Sequence, residues 1–401
     1  MEERKLNILI VHNYYKLPGG EGVVVENEKN MLKKHGHNVF LYTRDNKEID
    51  NYSLFQKILL PFSYLFSIKT YKNIKRIISE KHIDIVHVHN TINIISKSVY
   101  YACFNTKTPV VQTIHNFRFL CPNGLFFRNR NICEDCVEGN LTCAIKHNCY
   151  RDSKLETLLS VINMKQMRRS KIFSKLNYIC LTDFGKEKLL LLNDKMKNKI
   201  DESSIYIKPN FCFDINKKDV NSNRDNYYVY ASRLEENKGI KFLLNAWKSI
   251  DNSKLIVCGS GELDNWCKSF IIENKVDNVE FVGNLEHDKL LDVISKSKGL
   301  IYPTRLYESF GLSIIEAYSV GTPVLVADFG NAGSLVKTGV TGFKYVYDNN
   351  ESFLDAFKKI NNSNLFKNAY DEYINNYSEE LNYKRLTNIY NDVINKRNND
   401  V

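Results

Sequence analysis

Residues 299–327 read GLIYPTRLYESFGLSIIEAYSVGTPVLVA. The apolar run Gly299–Pro303 has the composition of a buried strand. Gly311 then opens a helical stretch, which Gly321-Thr-Pro323 ends before a second apolar run, 324–327. Strand, glycine-containing turn, helix and strand is the arrangement in which helix-start amides bind anions. The stretch therefore predicts an α/β domain with an anion-binding turn.

The same stretch carries two carboxylates, Glu308 and Glu316, on either side of Phe310-Gly311-Leu312. Their spacing is about 2.2 helical turns, so both could be ordinary solvated positions on one side of a helix. Their setting favours another interpretation, because they flank a turn of the anion-binding kind. The first helix amides would bind phosphate while the carboxylates hold the hydroxyls of the ligand. This pattern predicts a nucleotide-sugar site.

Short apolar strands alternate with helical stretches along the chain. The predicted strands are 6–12, 39–43, 83–89, 110–115 and 178–181, then 227–231, 254–258, 279–282, 299–302 and 324–327. This predicts an α/β fold of two doubly wound, Rossmann-like domains that face each other across a ligand cleft. The polar stretch 214–225 is typical of a linker. We predict an N-terminal acceptor-binding domain (1–208), a nucleotide-sugar-binding domain (209–375) and a C-terminal helix (376–401) that packs back on the first domain.

The composition is that of a soluble globular protein, with 43% apolar and 25% charged residues among 401. No run of about 18 uncharged apolar residues occurs, and the chain leads directly into a strand without a signal-type region. We therefore expect a cytoplasmic protein that can work at the inner face of the membrane.

The net charge of +10 is uneven, since residues 141–200 hold 13 Lys and Arg against 5 Asp and Glu. A basic amphipathic helix here could contact an anionic membrane, a pyrophosphate-linked lipid or nucleic acid; a solvated basic face over an ordinary core stripe is the alternative. The aromatic segment Tyr52–Phe66, interrupted by Pro61, is too short to span a bilayer. It predicts a buried helix–turn–helix, with contact to a membrane interface as the alternative.

Other candidate residues lie where predicted strands end. Arg233 and Lys238 lie on a strand-to-helix turn, where two cations suit a diphosphate. Gly19-Gly20 precedes a helix and lets the backbone approach a ligand closely. His115 ends a strand, where it could bind a sugar hydroxyl or assist proton transfer. His87 and His89 end another strand, and for them a structural hydrogen bond is the simpler reading.

The chain resembles the retaining glycosyltransferases of family 4, the group 1 class with the GT-B fold. Three features carry this resemblance, in this order along the chain: Gly19-Gly20, Arg233 with Lys238-Gly239, and the Glu308–Glu316 element. The resemblance implies that Arg233 and Lys238 bind the donor diphosphate, that Glu308 holds the donor sugar, and that Glu316 holds the ribose. It places His115 beside the reacting sugar and the 281–284 loop near the base. The donor-binding positions are then Gly19, Gly20, Asn210, Gly283, Asn284, Ser309, Phe310, Gly311, Leu312 and Glu316, and the catalytic ones His115, Arg233, Lys238 and Glu308.

The chemistry fits these residues. Departure of the nucleoside diphosphate builds negative charge, which Arg233, Lys238 and helix-start amides can stabilise. No Asp-x-Asp triplet occurs in the chain, so we expect a reaction that needs no metal and retains the anomeric configuration. The expected partners are a nucleotide-sugar donor, a glycan or lipid-linked saccharide acceptor and an anionic membrane surface, with no nucleic acid.

A cysteine-rich segment, 121–149, departs from this pattern. Cys133-x-x-Cys136 has zinc-knuckle spacing, and a structural zinc site drawn from five cysteines is compatible with the sequence, as are unligated thiols. The five are Cys121, Cys133, Cys136, Cys143 and Cys149.

The predicted function is therefore sugar transfer in bacterial surface polysaccharide synthesis. Two alternative functions are considered. A nucleotide-sugar epimerase of the same fold would convert the donor alone. A basic nucleic-acid-binding or membrane scaffold protein would use the 141–200 segment, but it would leave the Glu308–Glu316 pattern unexplained.

Overall fold

The structure is a computed structural model that describes residues 4–16, 19–213 and 224–399, without the side chains of residues 398 and 399. The described residues form two compact units. The first contains the described chain up to 124, residues 134–209 and the described residues from 382 onward. The second contains 125–133 and the described part of 210–381.

Fourteen strands lie in the described residues. They are β1 (Asn7–Tyr14), β2 (Asn38–Asp45), β3 (Ile85–Val88), β4 (Val110–Ile114), β5 (Phe127–Arg128), β6 (Asn131–Ile132), β7 (Asn177–Cys180), β8 (Ile205–Ile207), β9 (Tyr227–Ala231), β10 (Lys254–Cys258), β11 (Val279–Gly283), β12 (Gly299–Tyr302), β13 (Val324–Ala327) and β14 (Gly342–Tyr345).

The same residues contain seventeen α-helices, with 3₁₀ turns at Asn46–Asn51, Leu191–Lys195, Glu202–Ser204 and Glu236–Lys238. The helices are α1 (Gly20–Lys34), α2 (Leu54–Leu65), α3 (Ile68–Glu80), α4 (Ser98–Asn105), α5 (Asp135–Glu138), α6 (Thr142–Lys146), α7 (Lys154–Arg169), α8 (Ile172–Lys175), α9 (Asp183–Leu190), α10 (Ile240–Trp247), α11 (Asp264–Glu273), α12 (His287–Lys296), α13 (Leu312–Ser319), α14 (Gly330–Ser334), α15 (Asn350–Asn361), α16 (Phe366–Asn376) and α17 (Glu379–Asn399).

Each unit is built on a six-stranded parallel sheet, which confirms the predicted pair of Rossmann-like domains. The strand order is β2-β1-β3-β4-β7-β8 in the first unit and β11-β10-β9-β12-β13-β14 in the second. The order reverses between β1 and β3 in one sheet and between β9 and β12 in the other. Ligands of such sheets bind outside the carboxyl ends of the strands at this switch point. The fold therefore directs attention to the loops after β1, β3, β9 and β12.

The sequence predicted that the whole cysteine-rich segment lies in the first domain. The structure instead divides the segment between the two units. Residues 125–133, with the β5–β6 hairpin, belong to the second unit. Phe126 is fully buried there, and its ring meets that of Tyr307 edge-on at a centroid distance of 6.1 Å. Burial of this aromatic ring accounts for the placement of the hairpin.

The last helix, α17, belongs to the first unit from residue 382 rather than from 376. It buries Tyr383, Leu386, Tyr390 and Val393. The hydroxyl of Tyr390 lies 2.7 Å from Nδ1 of His87. This part of the helix is therefore part of the core of the first unit.

The aromatic segment Tyr52–Phe66 is not a buried helix–turn–helix. Residues 54–65 form the single helix α2, which continues through Pro61 although an interior proline has no amide hydrogen to donate. Only Tyr64 of this helix is buried, and five large apolar side chains are 42–78% exposed. No helix in the part of the chain that the structure describes is long and apolar enough to cross a membrane.

The basic segment has an ordinary core stripe on α7. Val161, Met164 and Met167 are buried, and Arg168 donates to the carbonyl oxygens of Phe119 and Leu120 at 3.2 and 3.4 Å. Part of the local positive charge therefore has a structural role.

Candidate active site

Two loops of the second unit approach each other at its switch point. After β9 the chain runs through Arg233 to the 3₁₀ turn that contains Lys238, and after β12 it runs through Pro303 towards Glu308. Gly239 has a φ of +75°, and a Cβ there would lie 1.8 Å from the carbonyl oxygen of Pro303. Only glycine permits this close approach of the two loops.

Lys238 and Glu308, both predicted catalytic residues, form an ion pair. The Lys238 ammonium donates to Oε1 of Glu308 at 2.7 Å, and the Thr304 hydroxyl donates to the same oxygen at 2.6 Å. Burial alone would raise the pKa of Glu308, but the charge of Lys238 and hydrogen bonds from Lys238, Thr304 and Tyr302 hold it below its ordinary value. The carboxylate is thus ionised at neutral pH and suited to accept hydrogen bonds from hydroxyls.

The backbone at Glu308 is in the left-handed region, with a φ of +47°. This conformation is uncommon for a residue with a side chain and is frequent at functional sites. The side-chain amide of Asn331 donates to the Glu308 carbonyl at 2.6 Å and helps to hold it there. Three residues later Gly311, with a φ of +125°, is the N-cap of α13. The ionised carboxylate and the helix start are therefore consecutive features of one loop.

Two further residues of the predicted donor site, Arg233 and Glu316, have partners that the sequence did not reveal. Arg233 pairs with Glu235 at 2.6 Å and remains 59% exposed. Oε1 of Glu316 lies 3.1 Å from Nε2 of His287 at the start of α12. The hydrogen bond with Glu316 raises the pKa of His287 against the opposing effect of burial. No local pattern predicts His287, because the contact joins residues 29 positions apart.

The loops after β10 and β11 are joined to each other. The Gly259 amide donates to the Gly283 carbonyl at 2.8 Å, and the Asn284 side chain donates to the Ser260 hydroxyl at 2.6 Å. Asn210 is buried, and its Oδ1 has no hydrogen-bond partner among the described residues. The binding roles of these residues stay predictions. So do those of Ser309 and Phe310, which follow Glu308, and of Leu312, the first residue of α13.

In the first unit, Gly19 and Gly20 lie at the start of α1, and His115 follows β4. A Cβ at Gly19 would meet no atom of the described residues within 4 Å. Nε2 of His115 lies 2.8 Å from Nδ1 of His89, which follows β3. Burial, reinforced by neighbouring positive groups, lowers the pKa of His115 well below its ordinary value. The imidazole is therefore neutral, with Nε2 engaged by His89.

Glu21 is a polar residue at this edge that the analysis of the sequence did not select. Its Oε2 accepts from the Asn116 side chain at 3.4 Å, and its Oε1 lies 3.7 Å from Nδ1 of His12 without a hydrogen bond. Burial raises the pKa of Glu21 to about 8, although Arg118 and Asn116 act in the opposite direction. Its position directly after Gly19-Gly20 was the available signal.

One group of side chains in the described residues has metal-ligand atoms close together, namely Glu28, His87 and His89, whose ligand atoms lie within 4.8 Å of one another. Carboxylate and imidazole are zinc ligands by type. However, Lys208 places its ammonium 2.8 Å from Oε1 of Glu28, and Tyr390 occupies Nδ1 of His87. The group is therefore buried and partly hydrogen-bonded, while Oε2 of Glu28 and Nε2 of His89, 3.5 Å apart, have no hydrogen-bond partner among the described residues.

The cysteines predicted as zinc ligands do not form such a group among the described residues. Cys136 is buried in a small apolar cluster with Val161 and Met164, and Cys143 and Cys149 pack against it. Burial, with neighbouring cysteines, raises the pKa of Cys136 to about 12, so this thiol is protonated at neutral pH. Cys133 belongs to the second unit. Structural zinc stays a prediction that metal analysis of the purified protein can test.

Two Rossmann-like units, with an ionised glutamate, a lysine and a helix start at the switch point of the second, define a glycosyltransferase of the GT-B fold. The family models agree: residues 213–379 match "Glycosyl transferases group 1" and residues 18–132 match "Glycosyltransferase Family 4", together more than half of the chain. The chain belongs to the group 1, family 4 glycosyltransferases, as the sequence predicted.

Individual relatives are distant. The chain is 23% identical over half of its length to the uncharacterized glycosyltransferase MJ1178 of Methanocaldococcus jannaschii, covering 56% of that protein. It is 22% identical over 39% of its length to O-antigen chain mannosyltransferase C of Escherichia coli, covering 43% of it. The chain thus spans about half the length of these curated relatives. The structure of Anabaena Alr3699/HepE in complex with UDP matches with a TM-score of 0.65, at 14% identity, over 96% of this chain and all of that one.

Proposed function

We propose that this protein is a retaining glycosyltransferase of bacterial surface polysaccharide synthesis. It transfers a hexosyl-type sugar from a UDP or GDP donor to a hydroxyl of a glycan or lipid-linked saccharide. The observation that carries the proposal is the Lys238–Glu308 pair at the switch point of the second unit, directly before the helix start at Gly311. A bound UDP in Alr3699/HepE and the name of the O-antigen mannosyltransferase support the donor and the pathway class.

In the proposed reaction the bond between the anomeric carbon and the diphosphate oxygen breaks, and a bond to the acceptor oxygen forms on the same face. The acceptor proton passes to the leaving phosphate. Lys238 and Arg233 stabilise the charge that develops on the diphosphate, with the first amides of α13. These groups supply the positive charge that the step requires, so the reaction proceeds without a metal.

The glutamates position the donor. Glu308, kept ionised by Lys238, accepts hydrogen bonds from hydroxyls of the sugar, and Glu316 accepts them from the ribose in competition with His287. A neutral His115 exchanges a hydrogen bond with the sugar and does not act as a cation, since burial lowers its pKa well below 7.

The test is a thermal-shift screen of UDP- and GDP-sugars, followed by incubation of each hit with and without saccharide acceptors in EDTA. The expected result is a donor-dependent shift, and a product formed only with acceptor whose anomeric configuration, read by NMR coupling constants, equals that of the donor. Conversion of the donor without acceptor would indicate an epimerase instead. An inverted product would overturn the retaining mechanism, and a requirement for metal would overturn the metal-independent reaction. No shift with any nucleotide would overturn the donor site.

A further inference from the structure

Helix α2 exposes one continuous apolar side. Leu54, Ile58 and Phe62 follow each other at intervals of four residues, and Phe55 and Leu59 lie beside them at the same interval. At 3.6 residues per turn these five side chains occupy one side of the helix. We call this set the α2 face. All five are 42–78% exposed, whereas Tyr64, on another side of the helix, is buried.

The chain around the α2 face is basic. No Asp or Glu occurs between Asp50 and Glu80, while Lys57, Lys69, Lys72, Lys75 and Arg76 do. The four cations of α3 are exposed. Lys57 and Lys72 form no ion pair with any residue that the structure describes. Lys69 lies near Glu48 and, after Arg44, helps to lower the pKa of that carboxyl. The charges of Lys57 and Lys72 are therefore available to an external anionic partner.

Helix α7 lies next to α2, on the side of Tyr64 and not on that of the α2 face. A groove lined by Leu60, Pro61 and Tyr64 of α2 and by Leu155 and Leu159 of α7 runs between the two helices. Lys57, Arg151 and Glu156 also line it, and Arg151 pairs with Glu156 at 3.3 Å. Leu155 and Leu158 of α7 are exposed. Exposed apolar side chains beside cations therefore occur on both helices.

We propose that the α2 face is a docking surface for an anionic lipid bilayer, in which α2 lies in the plane of the interface with its five apolar side chains among the acyl chains. An exposed apolar helix side, with lysines close to it in the chain and no acid between Asp50 and Glu80, fits the pattern of an interfacial helix. Twelve residues are too few to span a bilayer, which leaves the surface-lying orientation.

Charge complementarity selects lipid over a second copy of the chain. A two-fold contact through the α2 face would bring the basic residues of both copies together, and like charges oppose such an interface. Anionic headgroups neutralise the same residues. A lipid-linked acceptor is confined to the membrane, so a membrane-bound enzyme would meet it there. This connection to the acceptor rests on the proposed function, whereas the lipid-binding surface itself does not.

The experiment is co-sedimentation of the full chain with vesicles of phosphatidylglycerol or of phosphatidylcholine. We expect binding to the anionic vesicles that weakens as salt is raised, and little binding to the neutral ones. Phe55→Ser with Phe62→Ser should weaken binding by at least about tenfold. Lys69→Gln with Lys72→Gln should reduce binding to the anionic vesicles alone.

The matched control is Ile272→Ser with Val346→Ser, which removes two exposed apolar side chains of the second unit and should leave binding unchanged. Equal binding by the Phe55/Phe62 variant, or no binding by the wild type, would overturn the proposal. So would a wild-type dimer in sedimentation that this variant dissociates, because it would identify a second copy as the occupant.

Failure of this proposal is distinguishable from failure of the proposed function. The nucleotide-dependent thermal shift and transfer to a soluble acceptor do not require the α2 face, so they should persist in the Phe55/Phe62 variant. If the wild type transfers sugar but does not bind vesicles, only the lipid-binding proposal fails. If it binds vesicles but shows no nucleotide-dependent thermal shift, the proposed function fails and the lipid-binding proposal stands.

Discussion

At the level of single residues, Glu308 shows how a carboxylate can be buried and still remain ionised. Its oxygen accepts from Lys238 and Thr304, and its left-handed backbone is held through Asn331. A glutamate kept in this state costs stability locally, which is common where binding requires a fixed orientation. The arrangement therefore favours a ligand-holding role over general acid catalysis.

We predict that Lys238→Met lowers kcat/KM for sugar transfer by about 10²–10³-fold, because the leaving diphosphate loses a preorganised cation. Initial rates with the donor found in the screen measure this. Lys254→Met is the matched control, since it removes the exposed Lys254–Glu280 pair at the start of β10 and should leave the rate unchanged. Equal rates for Lys238→Met and wild type would contradict the assignment of Lys238.

The pair of His287 and Glu316 predicts a pH-dependent contribution to stability. Because the pKa of His287 is raised in the folded state, the contribution is complete below the ordinary value of 6.5 and disappears as the pH rises through the raised value. His287→Gln should lower Tm by at most about 2 °C at pH 5.5 and not at all at pH 9, since the histidine is half exposed.

Thermal unfolding of both proteins at several pH values measures this difference. His147→Gln, at an exposed histidine without an ion pair in the described residues, is the control. A Tm difference that grows with pH would have the wrong sign and would exclude the pair as its origin.

At the level of elements, glycines decide how closely loops approach. Gly239→Ala should destabilise the protein by about 2–4 kcal/mol. Two costs add: the strain of a left-handed φ in alanine and the steric clash of its Cβ with the Pro303 carbonyl. Gly283→Ala has a similar φ of +71° but open space around it, so about 1 kcal/mol is expected. Denaturant unfolding of the two variants separates close approach from backbone strain. Equal losses would show that the approach to Pro303 is not constrained.

Three elements of the first unit meet at a fully buried ion pair. Lys208, just after β8, donates to Glu28 of α1 at 2.8 Å and to the side-chain oxygen of Asn382 in α17 at 3.1 Å. Removing one partner leaves a buried charge, so Lys208→Met should cost about 3–5 kcal/mol.

Adding Glu28→Gln to Lys208→Met should restore part of that loss, because the unpaired carboxylate is gone. The free energy of unfolding of the single and double variants measures this coupling. If the double variant loses as much free energy of unfolding as the two single variants lose together, the two residues act independently.

The sequence predicted elements well where burial is complete and poorly where tertiary contacts decide. β9, β10, β12 and β13 coincide with the predicted strands because continuous apolar runs mark buried parallel strands. β14 was missed, since Gly342–Tyr345 is short and contains Lys344. The exposure of α2 was missed because composition alone does not show which apolar surfaces find a partner. The partner of Glu316 was missed for the same reason.

At the level of the whole molecule, the chain passes between the two units several times. The first unit is completed only by residues from 382 onward, which bury Tyr383, Leu386 and Tyr390. We predict that truncation after residue 381 produces aggregation or a large fall in Tm, because this apolar surface would be exposed.

Two comparisons sharpen this test. Tyr390→Phe removes only the hydrogen bond to His87 and should have a much smaller effect, of about 1 kcal/mol. A fragment of residues 1–209 joined by a flexible linker to 382–399 should be more soluble than 1–209 alone, although both fragments expose Phe126, which packs against Tyr307 in the full chain. A soluble, cooperatively unfolding 1–381 chain would contradict the structural role of α17.

The placement of α17 also orders events on the ribosome. Residues 210–381 are all translated before residue 382 emerges, so the second unit can fold while the first still lacks its last helix. At 5–20 residues per second, the 172 residues from 210 to 381 occupy roughly 9–34 s. During that interval the nascent first unit presents an unfilled apolar seam, and chaperone demand during synthesis should be greatest for the amino-terminal half of the chain.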